Sequence, residues 1–308
     1  VSTVTPAPTT APAASAAVAG PADVTRRIAR SRRTARKTRA AALKAVLVVL
    51  LLAFTLFPAF WMLSSAFDAK AGTGGQTLLP REFTFDNFSY VLTDGGFDVF
   101  LRNSAIVALV TVVASAVLSL LAAVAVARFR FRSRTAILLM ILIVQMVPLE
   151  ALVIPLFVQV RDLGMLNTLL GLMVVYVALS LAFGIWMLRG FVAAVPVELE
   201  EAAYIDGASW GRMFRSVLLP LVMPGLVATS VFSFITAWNE FIFAMTLLGG
   251  ASENYTVAIG LKQFFGEHTN EWGYIMAAST IITIPVMIFF VIVQRRLSAG
   301  LVAGAVKG

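Results

Sequence analysis

Long uninterrupted apolar runs, separated by short polar or charged connections, dominate the chain. They fall at 45–67, 103–127, 135–160, 165–188, about 220–248 and 274–294. Each is long enough to cross a hydrocarbon core of about 30 Å at about 1.5 Å per residue, so the pattern predicts an all-α polytopic membrane protein with six spans. The runs are continuous rather than alternating at period two, which argues against a membrane β-barrel. Pro148 and Pro155 lie inside the third run and predict a kink or interruption there. Residues 1–25 are rich in Ala, Pro and Thr and lack apolar periodicity, so burial cannot offset the entropy of ordering them. The expected organisation is a disordered basic tail at 1–42, a helical membrane domain at 43–296 and a short tail at 297–308.

Composition agrees with that pattern. The chain of 308 residues is 59% hydrophobic and only 13% charged, too little charge to cover a soluble protein of this length. The absence of cysteine excludes disulfides, thiolate metal sites and cysteine nucleophiles. The single histidine, His268, reads as a solvated loop residue, so neither a metal site nor a catalytic residue is expected.

The net charge of +8 is unevenly placed. Nine of the 24 Lys/Arg lie in 26–44, directly before the first apolar run, where they would hold the N-terminus inside and attract anionic lipid headgroups. No aromatic residue interleaves them, so nucleic acid is not expected as a partner. The "SRRTARK" stretch touches on an export signal, but the run at 45–67 is too long for a cleaved apolar segment and reads as an anchored helix. Assigning the connections alternately to two faces puts nineteen Lys/Arg on the face of the termini and five on the other. By the positive-inside rule both termini are cytoplasmic, as is the segment at 196–220.

That segment contains "EAAYIDGASWGRMFRSVLLP" (201–220). Pro196 suits the first turn of a helix, and Glu198, Glu200 and Glu201 complement its positive end. Ala202 and Ala203 continue it; Gly207, between Asp206 and Ala208, permits a break or a close backbone approach. Ser209 can cap a second short helix carrying Trp210, Met213 and Phe214, after which Pro220 and Pro224 fit the early turns of the fifth span. Two readings follow from these residues alone: apolar anchors for a groove on a soluble partner, or an amphipathic connector on the membrane surface.

The same residues resemble the EAA motif of ABC importer permeases, through Glu201-Ala202-Ala203, Gly207, Val217 in a place where isoleucine is commoner, and Leu219-Pro220. Outside the motif, "LLPREFTFDNFSYVL" (78–92), "QMVPLEALVIPLFVQVRDLGMLNT" (145–168) and "AWNEFIFAMTLL" (237–248) are similar to the carbohydrate-uptake branch, in particular its maltose-permease-G-like subunits. The resemblance implies the type I importer (MetI-like) permease fold in a bacterial cell membrane. It also implies a second homologous permease, separate ATPase subunits that carry ATP-Mg, and an extracytoplasmic sugar-binding protein. The chain itself would bind no cofactor. The segment Glu201–Pro220, with Met213 and Phe214 as anchors, would dock in an ATPase cleft, and the loop at 249–273 would face the binding protein.

Polar residues at membrane depth are expensive and mark a cavity or a partner. Gln145, Trp238, Asn239 and Glu240 are the candidates for a sugar pathway, since amides, a carboxylate and an indole suit hydroxyls and C–H faces. Alternatively, Asn239 and Glu240 bond between subunits or cap an interrupted helix. An ion-coupled secondary transporter would also use interrupted spans and buried carboxylates, but it leaves the EAA spacing without a purpose.

Overall fold

The computed structural model describes residues 21–72, 77–266 and 271–305, with side chains at 41–72, 77–266 and 271–294. The readings made for residues 1–20, His268 and 306–308 lie outside the described residues. Two units divide after Ala59.

The first unit's described backbone belongs to α1 (Pro21–Ala66). Helix here replaces the coil expected up to residue 42. From Pro21, which suits a first helical position, to Lys44 there is no further Pro or Gly, and Ala, Arg and Lys sustain the helix. The side chains of 41–59 are exposed and apolar apart from Lys44 and Thr55, and the Thr55 hydroxyl donates to the Leu51 carbonyl at 2.8 Å.

In the second unit, α2 (Asp86–Leu92), α3 (Phe97–Arg128) and α4 (Arg134–Met146) are followed by a 3₁₀ turn (Leu149–Leu152) and α5 (Val153–Asp162). Then come α6 (Leu169–Ala194), α7 (Val197–Ile205), α8 (Trp210–Met213), a π turn (Phe214–Leu218) and α9 (Leu219–Asn239). The chain ends with α10 (Ile242–Leu248), α11 (Val257–Lys262) and α12 (Trp272–Ala305). Among the described residues the only β pairing is the isolated bridge Asp68–Phe83. Among the described residues, five helices are long and apolar enough to cross a membrane, or six if the bent pair α4–α5 is one span.

Proline sets the breaks. Val147 precedes Pro148 and is extended (φ −73°, ψ 126°), and the chain bends by 101° between the two halves of the third run. Val195, before Pro196, is extended likewise (φ −75°, ψ 122°). Pro196 consequently stands just before α7 rather than in its first turn. Pro220 acts differently: lacking an N–H, it leaves the Ser216 carbonyl without its usual donor, and the backbone answers by widening into the π turn immediately upstream. The fifth run stops short of its expected end at 248, because Glu240 is extended (φ −69°, ψ 129°) and separates α9 from α10. At the other end, α12 carries helix through 297–305, where a tail was expected.

Helix α3 is the hub, packed along α6 and α9. Small residues allow the close approach: a β-carbon on Gly184 would strike the Ser119 side chain, and one on Gly225 the Phe191 ring. Ser115 and Ser233 hydroxyls meet at 3.3 Å between α3 and α9. One apolar core includes Phe97, Leu172, Trp238 and Leu247, and a second includes Leu120, Leu188, Met213 and Val222.

Side-chain amides tie the connections down. Asn87 donates to the carbonyls of Ala66 (3.0 Å) and Asp68 (3.1 Å), and Asp68 accepts the amides of Lys70 and Glu82. Asn103 donates to Glu253 and Tyr255 carbonyls, holding the connection between α10 and α11 against α3. Asn167, in the left-handed region (φ 60°), accepts from Gly250 N at 3.0 Å and from Asn254 Nδ2 at 2.7 Å.

Candidate functional site

The connection from α6 to α9 is built as a stiff hairpin rather than a loose loop. Helix α7 closes with paired hydrogen bonds, Gly207 N to the Tyr204 carbonyl (3.0 Å) and Ala208 N to the Ala203 carbonyl (2.9 Å). This is the Schellman arrangement, which needs a left-handed residue after the cap, and Gly207 supplies it at φ +78°. Among the described residues, apart from the glycine and its two chain neighbours, no atom lies within 4 Å of a β-carbon built there, so the glycine serves backbone conformation rather than close approach within the chain. Ser209 occupies the cap position of α8, but its side chain makes no capping bond; its carbonyl accepts Met213 N instead.

Sequence reasoning missed how this hairpin is anchored. Glu200, read as a dipole partner, is buried and forms an ion pair with Arg128 at the end of α3, Nε to Oε1 at 2.7 Å. Arg128 Nη2 also donates to the Val195 carbonyl at 2.8 Å. The pair joins residues 72 positions apart, and the only sequence signal was the first of four closely spaced arginines (Arg128, Arg130, Arg132 and Arg134) ending an apolar run.

The sequence placed Met213 among exposed anchors. The structure corrects this: Met213 is 2% exposed and packs with Leu120, Val124, Leu188 and Leu218. Phe214, four positions after Trp210, shares its face, whereas Met213 is turned about 100° from Phe214 and meets the core. Phe214 is half-buried and stacks on Trp210, ring centroids 5.4 Å apart. The outward apolar surface is made by Tyr204, Ile205 (87% exposed) and Trp210, beside exposed Glu201, Ala202, Asp206 and Gly207. Ala203, Ala208 and Leu219 are half-buried and Pro220 is exposed.

The four candidate pathway residues do not come together. Trp238 is 2% exposed, stacks on Phe234 and donates to the Ile282 carbonyl at 3.3 Å, so it is core. Asn239 is exposed and donates back to the Ile235 carbonyl within its own helix. Gln145 and Glu240, by contrast, share a cavity of about 440 Å³ between the broken helices, with Glu150, Tyr176, Ser180 and Thr236 also on its wall.

Glu240 also caps α10. Its Oε1 accepts Phe243 N (2.9 Å), and its Oε2 accepts Ala244 N (3.0 Å) and the Tyr176 hydroxyl (2.6 Å). Those first-turn amides have no helical partners, and meeting them contributes about 1 kcal/mol. The capping alternative for Glu240 is thus what the geometry contains, together with a place on the cavity wall.

Residues 115–302 match the family described as "Binding-protein-dependent transport system inner membrane component". The chain is 40% identical over 265 residues to the diacetylchitobiose uptake system permease protein DasC of Streptomyces coelicolor, covering 85% of this chain and 96% of that one. It is 36% identical over 266 residues to the trehalose transport system permease protein SugB of Mycobacterium tuberculosis, covering 86% and 97%. Among solved structures, a chain of a bacterial ABC transporter that imports the acidic polysaccharide alginate superposes with a TM-score of 0.73 at 25% identity, covering 84% of this chain and 97% of that one.

Proposed function

Because the chain belongs to the family of binding-protein-dependent transport system inner membrane components, we propose that it is a permease subunit of an ATP-driven sugar importer in a bacterial cell membrane. It forms one half of a pathway with a second, homologous permease. Separate ATPase subunits carry ATP-Mg, the chain binds no cofactor of its own, and an extracytoplasmic binding protein delivers the sugar. Both termini and the hairpin 196–220 face the cytoplasm, in keeping with the placement of nineteen Lys/Arg on that side.

The observation that carries this reading is the hairpin itself. Tyr204, Ile205 and Trp210 present an outward apolar surface on two short helices, clamped to α3 by Arg128–Glu200 and plugged into the core by Met213. Such a body moves as a unit when a partner pushes it, because packed interfaces shift between discrete arrangements rather than stretch. An ion-coupled transporter has no use for an external handle of this kind. The relatives' substrates support a sugar but differ in charge: diacetylchitobiose and trehalose are uncharged, alginate is acidic.

The test is co-expression with a partner permease, ATPase and binding protein. Sugar and binding protein together should stimulate ATP hydrolysis by the complex, while this chain alone hydrolyses none. A cysteine at Ile205 should cross-link to the ATPase, and one at Met213 should not. Sugar uptake by the chain alone, driven by an ion gradient without ATP, would replace this reading with the secondary transporter.

A further inference from the structure

Resting on the reading of this chain as a sugar permease, we propose that the cavity between the broken helices admits uncharged sugars and turns away carboxylated ones, with Glu150 and Glu240 as the specificity-determining residues. Interrupted helices usually leave backbone N–H groups open at membrane depth, where they attract anionic parts of a substrate. Both interruptions here carry a carboxylic acid, and at the second the acid accepts the open amides. Glu150 stands in the first turn after the Pro148 break, and Glu240 stands at the break before α10.

The bonds of Glu240 are one-directional. Two amides and the Tyr176 hydroxyl, a residue only 3% exposed, all donate to it. With both carboxyl oxygens engaged, the amides Glu240 holds are no longer open to a substrate carboxylate.

Both acids line the same cavity of about 440 Å³, and no Lys, Arg or His is among its described lining residues. An anion entering this space therefore meets two acidic side chains and no compensating cation among the described lining residues. The rest of the wall offers what an uncharged sugar uses: the Gln145 amide, the Thr236 hydroxyl and the Phe183 ring, among other apolar side chains. Because the acids belong to the wall, the preference would be intrinsic to this subunit, separate from any selection made by a binding protein.

The chain contains no cysteine, so Thr236→Cys, half-buried on the cavity wall, introduces a unique thiol. In membranes containing the whole importer, this chain's modification by trimethylammonium-ethyl and by sulfonatoethyl methanethiosulfonate would be followed by mass spectrometry. Each rate is divided by the same reagent's rate with mercaptoethanol. The normalised cation-to-anion ratio should be about tenfold or more. It should fall several-fold in Glu150→Gln and in Glu240→Gln. Glu150 is exposed and makes the first variant the cleaner one, since Glu240→Gln also disturbs the α10 cap. A ratio near one in the parent, a ratio unmoved by both variants, or no reaction with either reagent would overturn the proposal. ATP-driven uptake of an uncharged disaccharide by the importer without the added cysteine tests the permease reading separately. Absent uptake with the ratio intact would discard the sugar reading while leaving the charge selection of the cavity standing.

Discussion

Glu200→Ala removes one half of the ion pair that fastens α7 to the end of α3. In the structure the two side chains are only 14% and 9% exposed, and their atoms meet at 2.7 Å. Removing one partner of a buried pair usually costs about 3–5 kcal/mol, because the survivor stays desolvated without its counter-charge. Two features lower the figure here. Arg128 keeps the Val195 carbonyl as an acceptor, and it sits at the C-terminal end of α3, where the helix dipole favours a cation. We therefore expect about 2–3 kcal/mol, felt locally as detachment of the hairpin rather than as global unfolding. At about 1.4 kcal/mol per decade, the opening equilibrium of α7 should rise roughly 30- to 150-fold. Hydrogen–deuterium exchange read by mass spectrometry on the purified chain would report this in peptides spanning 197–208, with peptides from the middle of α3 and α6 as internal controls. The reversed pair, Arg128→Glu with Glu200→Arg, should recover part of the protection. Unchanged exchange in Glu200→Ala would refute the clamp. A reversed pair as open as the single variants would show that the charges are not what holds it. In the assembled importer the same variant should keep ATP hydrolysis but lose much of its stimulation by binding protein.

Three further outcomes follow from single positions. At Gly207 the left-handed backbone costs Ala about 1 kcal/mol, Asn less and Val more, so uptake per permease molecule should fall in the order Asn, Ala, Val; equal uptake by all three would show that φ is not the constraint. Gly184→Ala drives a β-carbon into Ser119, and overpacking of this kind costs about 1–3 kcal/mol; the aggregation temperature in detergent should drop and should recover when Ser119→Gly is added. For Asp68, outside the spans, burial alone would raise the carboxyl, but backbone amide donors, Lys70 N first among them, outweigh it and bring it below its ordinary 3.8. Its folded-state value is the lower one, so its stabilisation is fully present above pH 3.8 and fades as pH falls through the lowered value. Wild type should therefore melt above Asp68→Asn near neutral pH, with the gap closing below about pH 3.8, and a gap that persists in acid would contradict the assignment.

Most of the architecture was legible in the chain because membrane helices answer to local rules. A run of apolar residues must satisfy its own backbone in lipid, so composition along the sequence is enough to locate the spans. Proline narrows the choice of breaks: Pro148 and Pro196 each follow an extended residue, whereas Pro58, Pro224 and Pro285 lie inside helices, so the surroundings decide which prolines interrupt. Gly207 was marked as a break position by its lack of a side chain, and its left-handed φ follows from that property.

Tertiary structure alone decided matters that depend on which residues meet across the fold. Nothing near Glu200 in sequence points to Arg128, and nothing near Glu240 points to Tyr176, 64 residues away. The end of the fifth span at Glu240 was hidden for the same reason: a carboxylate inside an apolar run is stable only where donors are brought to it, here by the next helix and by α6. The burial of Met213 and of Trp238 likewise depends on the rotation of one helix against another, which hydrophobicity cannot reveal in a chain apolar on nearly every face. Spans are properties of a segment and its solvent, whereas clamp, cap and cavity are properties of pairs.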